Sequence, residues 1–161
     1  MKKLMLLLSL FWFSFGAYSH GFDYSVVRLI EQDNDKWRLV VVSSLDAFRK
    51  EVKQHFADSP YTSVEQFNAQ LLSHINATLK IATKDTEVSL GTGKVQLGHE
   101  TSIIFDEVAL PKGAQAMTLI NGALKDIYRH TTKLIVAEQG QDGVTFILNK
   151  KNNFTANFSV Q

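Results

Sequence analysis

The chain has no cysteine. That absence removes a disulfide framework, a thiolate metal site and a thiol nucleophile together. It also closes the lipid-anchored export route, which modifies a cysteine. Neither sign of charge is in excess, with 17 Lys and Arg against 16 Asp and Glu. A near-neutral chain lacks the basic face that nucleic acid requires, so nucleic acid is not an expected partner. No apolar run is long enough to cross a bilayer comfortably, which takes about 20 residues. Gly-x-Ser-x-Gly is missing, and no nucleophile, base and orienting group can be named as a set. "GTGKVQLG" is not a phosphate loop, because Val88 stands where the first glycine belongs and Val95 follows Lys94.

What is present begins with a leader. Lys2 and Lys3 precede an apolar stretch from Leu4 to Phe15, and Ala17-Tyr18-Ser19 puts small residues where a signal peptidase reads. Residues 1–19 are expected to be a cleaved Sec-type signal peptide, with cleavage after Gly21 as the alternative. The mature chain would be residues 20–161, one domain, periplasmic or secreted from a bacterium, with no transmembrane segment after cleavage. Loss of Lys2 and Lys3 keeps it near neutral. Without disulfides its stability must come from a core, for which 11 Phe and many Val, Leu and Ile are available.

"FDYSVVRLI" alternates, with Phe22, Tyr24 and Val26 on one face, and a turn at Asp33-Asn34-Asp35 leads to "KWRLVVVSS". The second segment is apolar on both faces around Val40–Val42 and reads as a central strand. The period then changes. Leu45, Phe48, Val52 and Phe56 form a helical stripe that Ser44 can cap. After "ADSPYT" comes a second stripe, Val64, Phe67, Leu71 and Ile75, with Thr62 and Glu65 at capping-box spacing. So short a link predicts two roughly antiparallel helices.

From Asn76 the chain returns to strands. They include "ATLKIA", "TEVSL" and "KVQL" about a Gly-Thr-Gly hairpin turn, "TSIIFDEVAL", "AMTLI", "TKLIVAE", "VTFILN" and "FTANFSV". "NGALKDIYRH" reads as a turn or single helical loop between two of them. The expected fold is mainly β: an immunoglobulin-like antiparallel β-sandwich with a two-helix insertion, at about residues 44–76, after the second strand.

Three stretches, "SHGFDYSVVRLIE", "VEQFNAQLLSHINATLKI" and "TLINGALKDIYRHTTKLIV", resemble an uncharacterised family of small exported bacterial proteins. That family is distantly similar to the extracytoplasmic N-terminal region of hydrogenase/urease-accessory-type membrane proteins, which are associated with nickel or other metal transport. The resemblance spans most of residues 20–160 and implies location and fold more than activity. The connection "ADSPYTS" lacks the acidic cluster of the larger relatives, which argues against a cation site there.

Among single residues His20 stands out. As the first residue of the mature chain it would offer its α-amino nitrogen and ring Nδ1 to one ion. With a further imidazole this makes a T-shaped nitrogen site suited to copper. His99 and His130 each enter a strand and are the candidates for that further ligand. His55 and His74 border apolar stripes, and antiparallel helices would hold them about 16 Å apart, so they should not share an ion. Glu51 with Glu65, or Asp106 with Glu107, are more simply solvated carboxylates than acid/base pairs.

The function expected is that of an exported, non-catalytic binding or accessory module, requiring no cofactor and docking to a membrane or envelope protein. The alternative is a copper-type metal-binding or delivery protein anchored on His20. An enzyme is not expected.

Overall fold

The computed structural model describes residues 24–33 and 36–161. Strands β1 (Tyr24–Glu31) and β2 (Trp37–Ser44) pair antiparallel, with Val27 opposite Val41 and Leu29 opposite Leu39. The odd-numbered face of β1 is the core face. Ser25, Val27 and Leu29 are buried while Tyr24 is 51% exposed, so the face carrying Tyr24 and Val26 is the outer one.

Two helices follow β2, as the change of period predicts: α1 (Leu45–His55) and α2 (Val64–Thr78). The remaining strands are β3 (Leu79–Thr83), β4 (Glu87–Val88), β5 (Gly93–Gln96), β6 (Glu100–Val108), β7 (Met117–Asn121), β8 (Thr131–Ala137), β9 (Val144–Leu148) and β10 (Thr155–Phe158). They form a six-stranded sheet in the order β5-β6-β2-β1-β8-β9 and a four-stranded sheet in the order β10-β7-β3-β4. Among the described residues the protein is thus mainly β with two α-helices, and β2 is central, in keeping with its doubly apolar run. One buried cluster draws on both sheets and both helices, including Leu29, Phe48, Leu71, Ile81, Phe105 and Leu119.

The arrangement is not wholly antiparallel. β1 pairs parallel with β8, Val27 opposite Leu134. No hairpin joins these two strands; the late part of the chain returns to the open side of β1, and alternation carries no information about direction. The Gly-Thr-Gly segment is not a hairpin either. β4 belongs to the four-stranded sheet and β5 to the six-stranded one, so Gly91, in the left-handed region at φ 75°, helps the chain cross between sheets.

Ser44 caps α1, its hydroxyl accepting from Ala47 N at 3.1 Å. The cap of α2 is Ser63, one residue after the expected Thr62. Ser63 Oγ accepts from Gln66 N, and Gln66 Oε1 accepts from Thr62 N at 2.7 Å. Phe67, Leu71 and Ile75 are buried, whereas Val64 is 55% exposed in the first turn.

The link between the helices is laid along α2. Gln70 Nε2 donates to Ser59 O at 2.6 Å, and the Tyr61 ring meets Phe67 edge-on at 5.0 Å. The end of α1 therefore abuts α2 well beyond its start. On the sheet side, Gly93 lets α2 approach β5: a Cβ there would lie 2.7 Å from Leu72 Cδ2 and 2.6 Å from the Phe105 ring.

Candidate metal centre

The last two turns of α1 carry the first two residues of the site. Phe48 and Val52 face the core, and Glu51 shares that side, its side chain only 1% exposed. His55 lies four residues on, hence on the same helix face. From α2 comes His74, flanked by Leu71 and Ile75 and 4% exposed. These three side chains place one ligand atom each within 4.8 Å of one another.

Asp126, from the loop between β7 and β8, approaches this triad at His55. Several contacts fix that loop. Ala123, Leu124 and Ile127 are buried; Gly122 N donates to Thr78 O at 2.9 Å; Asn121 Oδ1 accepts from Ala123 N and its Nδ2 donates to Thr132 Oγ1. The result puts Asp126 Oδ2 3.3 Å from His55 Nε2.

Three distances define the cluster. His55 Nε2 is 3.3 Å from Glu51 Oε2 and 3.3 Å from Asp126 Oδ2, and His74 Nε2 is 3.6 Å from Glu51 Oε2. Charge-assisted N–H···O bonds run shorter, at about 2.7–2.9 Å, and a single Nε2–H cannot serve two carboxylates. Neither Glu51 oxygen has a hydrogen-bond partner, although both are buried. Ligands held tetrahedrally at about 2.0–2.1 Å from a zinc ion are separated by about 3.3 Å. The two contacts of His55 Nε2 match that separation, and the His74–Glu51 contact is somewhat longer. His74 differs in a further respect: its Nε2 donates to Ala123 O at 2.7 Å.

The electrostatics fit the same reading. Burial pushes the Glu51 carboxyl above its ordinary value, and the Asp126 charge adds to this, against an opposing pull from His55. Burial lowers His74, only partly offset by its bond to the Ala123 carbonyl. His74 is accordingly held as neutral imidazole, the form that binds metals. A dication would relieve the penalty on Glu51. His55 and Asp126 side chains are each 36% exposed, which leaves a way in from solvent.

Two expectations from the sequence are corrected here. His55 and His74 are not separated by the length of α2; their ring centroids lie 4.6 Å apart, because the link runs back along α2. Glu51 is not solvated. The spacing that signals it is Glu51-x-x-x-His55, one helical face shared with Phe48 and Val52. By contrast, Asp106 is engaged by Lys94 and Arg38, and Glu107 by Lys36, on the surface.

His20 lies outside the described residues. His130 is 3% exposed, and its Nε2 is 2.9 Å from Ser25 Oγ, which in turn is 2.8 Å from Thr132 Oγ1. His99 is exposed, and its carbonyl accepts from Leu45 N at 3.1 Å. Register puts both at the end of the six-stranded sheet where β1 starts, since Tyr24 pairs with Thr131 and Ser44 with Glu100.

No family model matches the chain, and no curated protein matches it at a significant level.

Proposed function

We propose that the chain is an exported, non-catalytic module that binds one divalent transition-metal ion of the zinc type through Glu51, His55, His74 and Asp126. The observation that carries this reading is the buried Glu51 carboxyl, hydrogen-bonded to nothing and 3.3–3.6 Å from two imidazole nitrogens. Two imidazoles with two carboxylates suit Zn2+, and the absence of sulfur argues against a site built for a softer ion. Four protein donors would fill a tetrahedral shell and leave no position for a substrate, which favours holding or delivering the ion over catalysis.

To ligate through Nε2, His74 exchanges its bond to Ala123 O for the metal and carries its proton on Nδ1. Glu51 gives up its proton on binding, so affinity rises with pH. Export rests on the leader sequence, and the metal reading places the module among envelope proteins that handle transition ions.

The test is calorimetric titration of Zn2+ into protein beginning at His20 and into protein with one extra residue before it. Glu51→Gln and His55→Ala variants, checked for folding by circular dichroism, are run in parallel. The expected result is one ion per chain in both starting forms and loss of that ion in the variants. Binding that vanishes with the extra residue but persists in Glu51→Gln would move the site to the amino terminus and His20.

A further inference from the structure

Asp126 also lines an open cleft of about 590 Å³, a size that suits a small molecule. Asp126 lines it together with Lys125, Lys150, Thr78, Ile120 and Asn153. Asp126 is therefore shared between the cleft and the metal cluster, one of its oxygens lying 3.3 Å from His55 Nε2.

Two of the chain's exposed lysines, Lys125 and Lys150, line this one cleft. Lys36, Lys80 and Lys94 each meet a carboxylate. Among the described residues, neither Lys125 nor Lys150 has a salt bridge or a side-chain hydrogen bond. Both stand on anchored backbone. Lys125 follows Gly122, where a Cβ would come within 3.7 Å of the lysine Cδ, so its stem lies back across that glycine.

Lys150 opens a short 3-10 turn, Lys150–Asn152, that is fastened at both ends. Asn149 Oδ1 accepts from Lys151 N, and Asn152 Oδ1 accepts from Asn149 N. The chain leaves it through Asn153 and Phe154, both left-handed at φ 50° and 54°. Such residues persist only where their surroundings over-determine them. Here Phe154 N donates to Asn149 O and Phe154 O accepts from Asn121 N, both at 2.9 Å. Ile120, 41% exposed, adds an apolar wall.

Two lysines without a carboxylate partner among the described residues, lining one cleft with an apolar wall, suit a small organic dianion. In the metal-free protein the Asp126 carboxylate opposes such a ligand. An ion bound at Glu51, His55, His74 and Asp126 reverses that local charge. We propose that this cleft binds a small organic dianion, a dicarboxylate or a phosphate monoester, through Lys125 and Lys150, and that metal at the neighbouring cluster strengthens the binding through Asp126. The coupling rests on the metal reading above; the lysine grip does not.

The experiment titrates succinate and, separately, glycerol 3-phosphate into the full chain with and without one equivalent of Zn2+, followed by ligand-observed NMR. Succinamide and glycerol serve as uncharged controls. The expected result is that one or both dianions bind and the controls do not, which also assigns the dianion class. Lys125→Met/Lys150→Met is expected to weaken binding by about tenfold or more through loss of two charged donors. Zinc is expected to strengthen binding by about fivefold or more, within the usual range of coupling between sites.

Glu51→Gln keeps the lysine grip and loses the zinc effect. If zinc binds but no dianion does, or the controls bind as well, the cleft assignment is overturned while the metal reading stands. If dianions bind through the lysines and zinc, though bound, changes nothing, the coupling is overturned. If zinc itself does not bind, the metal reading fails and the coupling with it, and lysine-dependent binding in the metal-free protein still decides the cleft.

Discussion

The imidazole of His55 lies against that of His74, ring centroids 4.6 Å apart and planes inclined by 34°. Two imidazolium ions would repel at that distance, and burial keeps His74 neutral. The buried Glu51 carboxyl lies 3.3 Å from His55 Nε2 and 3.6 Å from His74 Nε2. An unpartnered buried carboxyl is costly to a fold. The proposed metal site gives that cost a purpose.

The first prediction follows from that cost. Glu51→Leu replaces a buried, unsatisfied carboxyl by an apolar group of similar length. Removing an unsatisfied buried polar group relieves its desolvation penalty, about 1–3 kcal/mol. In metal-free protein, denaturant unfolding is expected to show Glu51→Leu at least as stable as the parent, while its zinc binding is lost. A loss of several kcal/mol in the metal-free variant would mean that Glu51 serves the fold and not an ion.

The pH dependence of metal-free stability has a definite sign. Glu51 is raised above its ordinary 4.5 by burial, so the folded state retains this proton where the unfolded chain releases it. Its contribution is fully present below about pH 4.5 and is lost as pH climbs through the folded value. His74 is lowered from 6.5 by burial and acts oppositely, costing stability as pH falls below 6.5 through its folded value. Glu51→Gln removes the first effect alone. Its advantage over the parent is expected to grow as pH rises above 4.5 in thermal melts; an advantage independent of pH would contradict the assignment.

His74 has a second role in the metal-free protein, as the donor to Ala123 O. His74→Leu leaves that buried carbonyl unpaired, at a cost of about 1–3 kcal/mol. Hydrogen exchange is expected to speed up in the loop from Gly122 to His130, which carries Asp126. Unchanged exchange there would show that Leu124 and Ile127 hold the loop without His74.

Much of this architecture can be read from residues. The doubly apolar Val40–Val42 run announces a central strand, Ser44 announces the start of α1, and the change of period after it announces a helical insertion. The parallel pairing of β1 with β8 is not legible, because alternating burial looks the same in either direction. The site was hidden for a related reason. Glu51, His55 and His74 each have helix spacing on an apolar stripe, but their meeting depends on where the link between the helices runs. That path is set by Ser59 against Gln70 and Tyr61 against Phe67, tertiary contacts with no periodic signature. Asp126 sits in a stretch readable only as a turn.

Gly93 tests the packing that supports α2. A Cβ there would lie 2.6 Å from the Phe105 ring and 2.7 Å from Leu72 Cδ2, so one of them must shift. Gly93→Ala is expected to destabilise by about 1–3 kcal/mol, as overpacking does. Leu72→Ala in the same chain should recover part of that loss; full additivity of the two losses would show that they do not compete for the same space.

The most direct measurement of the central claim is zinc-edge X-ray absorption on the full chain loaded with one equivalent of Zn2+. The account predicts four nitrogen and oxygen donors at about 2.0–2.1 Å, two of them imidazoles, with His74→Leu reducing the imidazole count to one. A zinc spectrum with no imidazole scattering, or one unchanged by loss of His74, would contradict it.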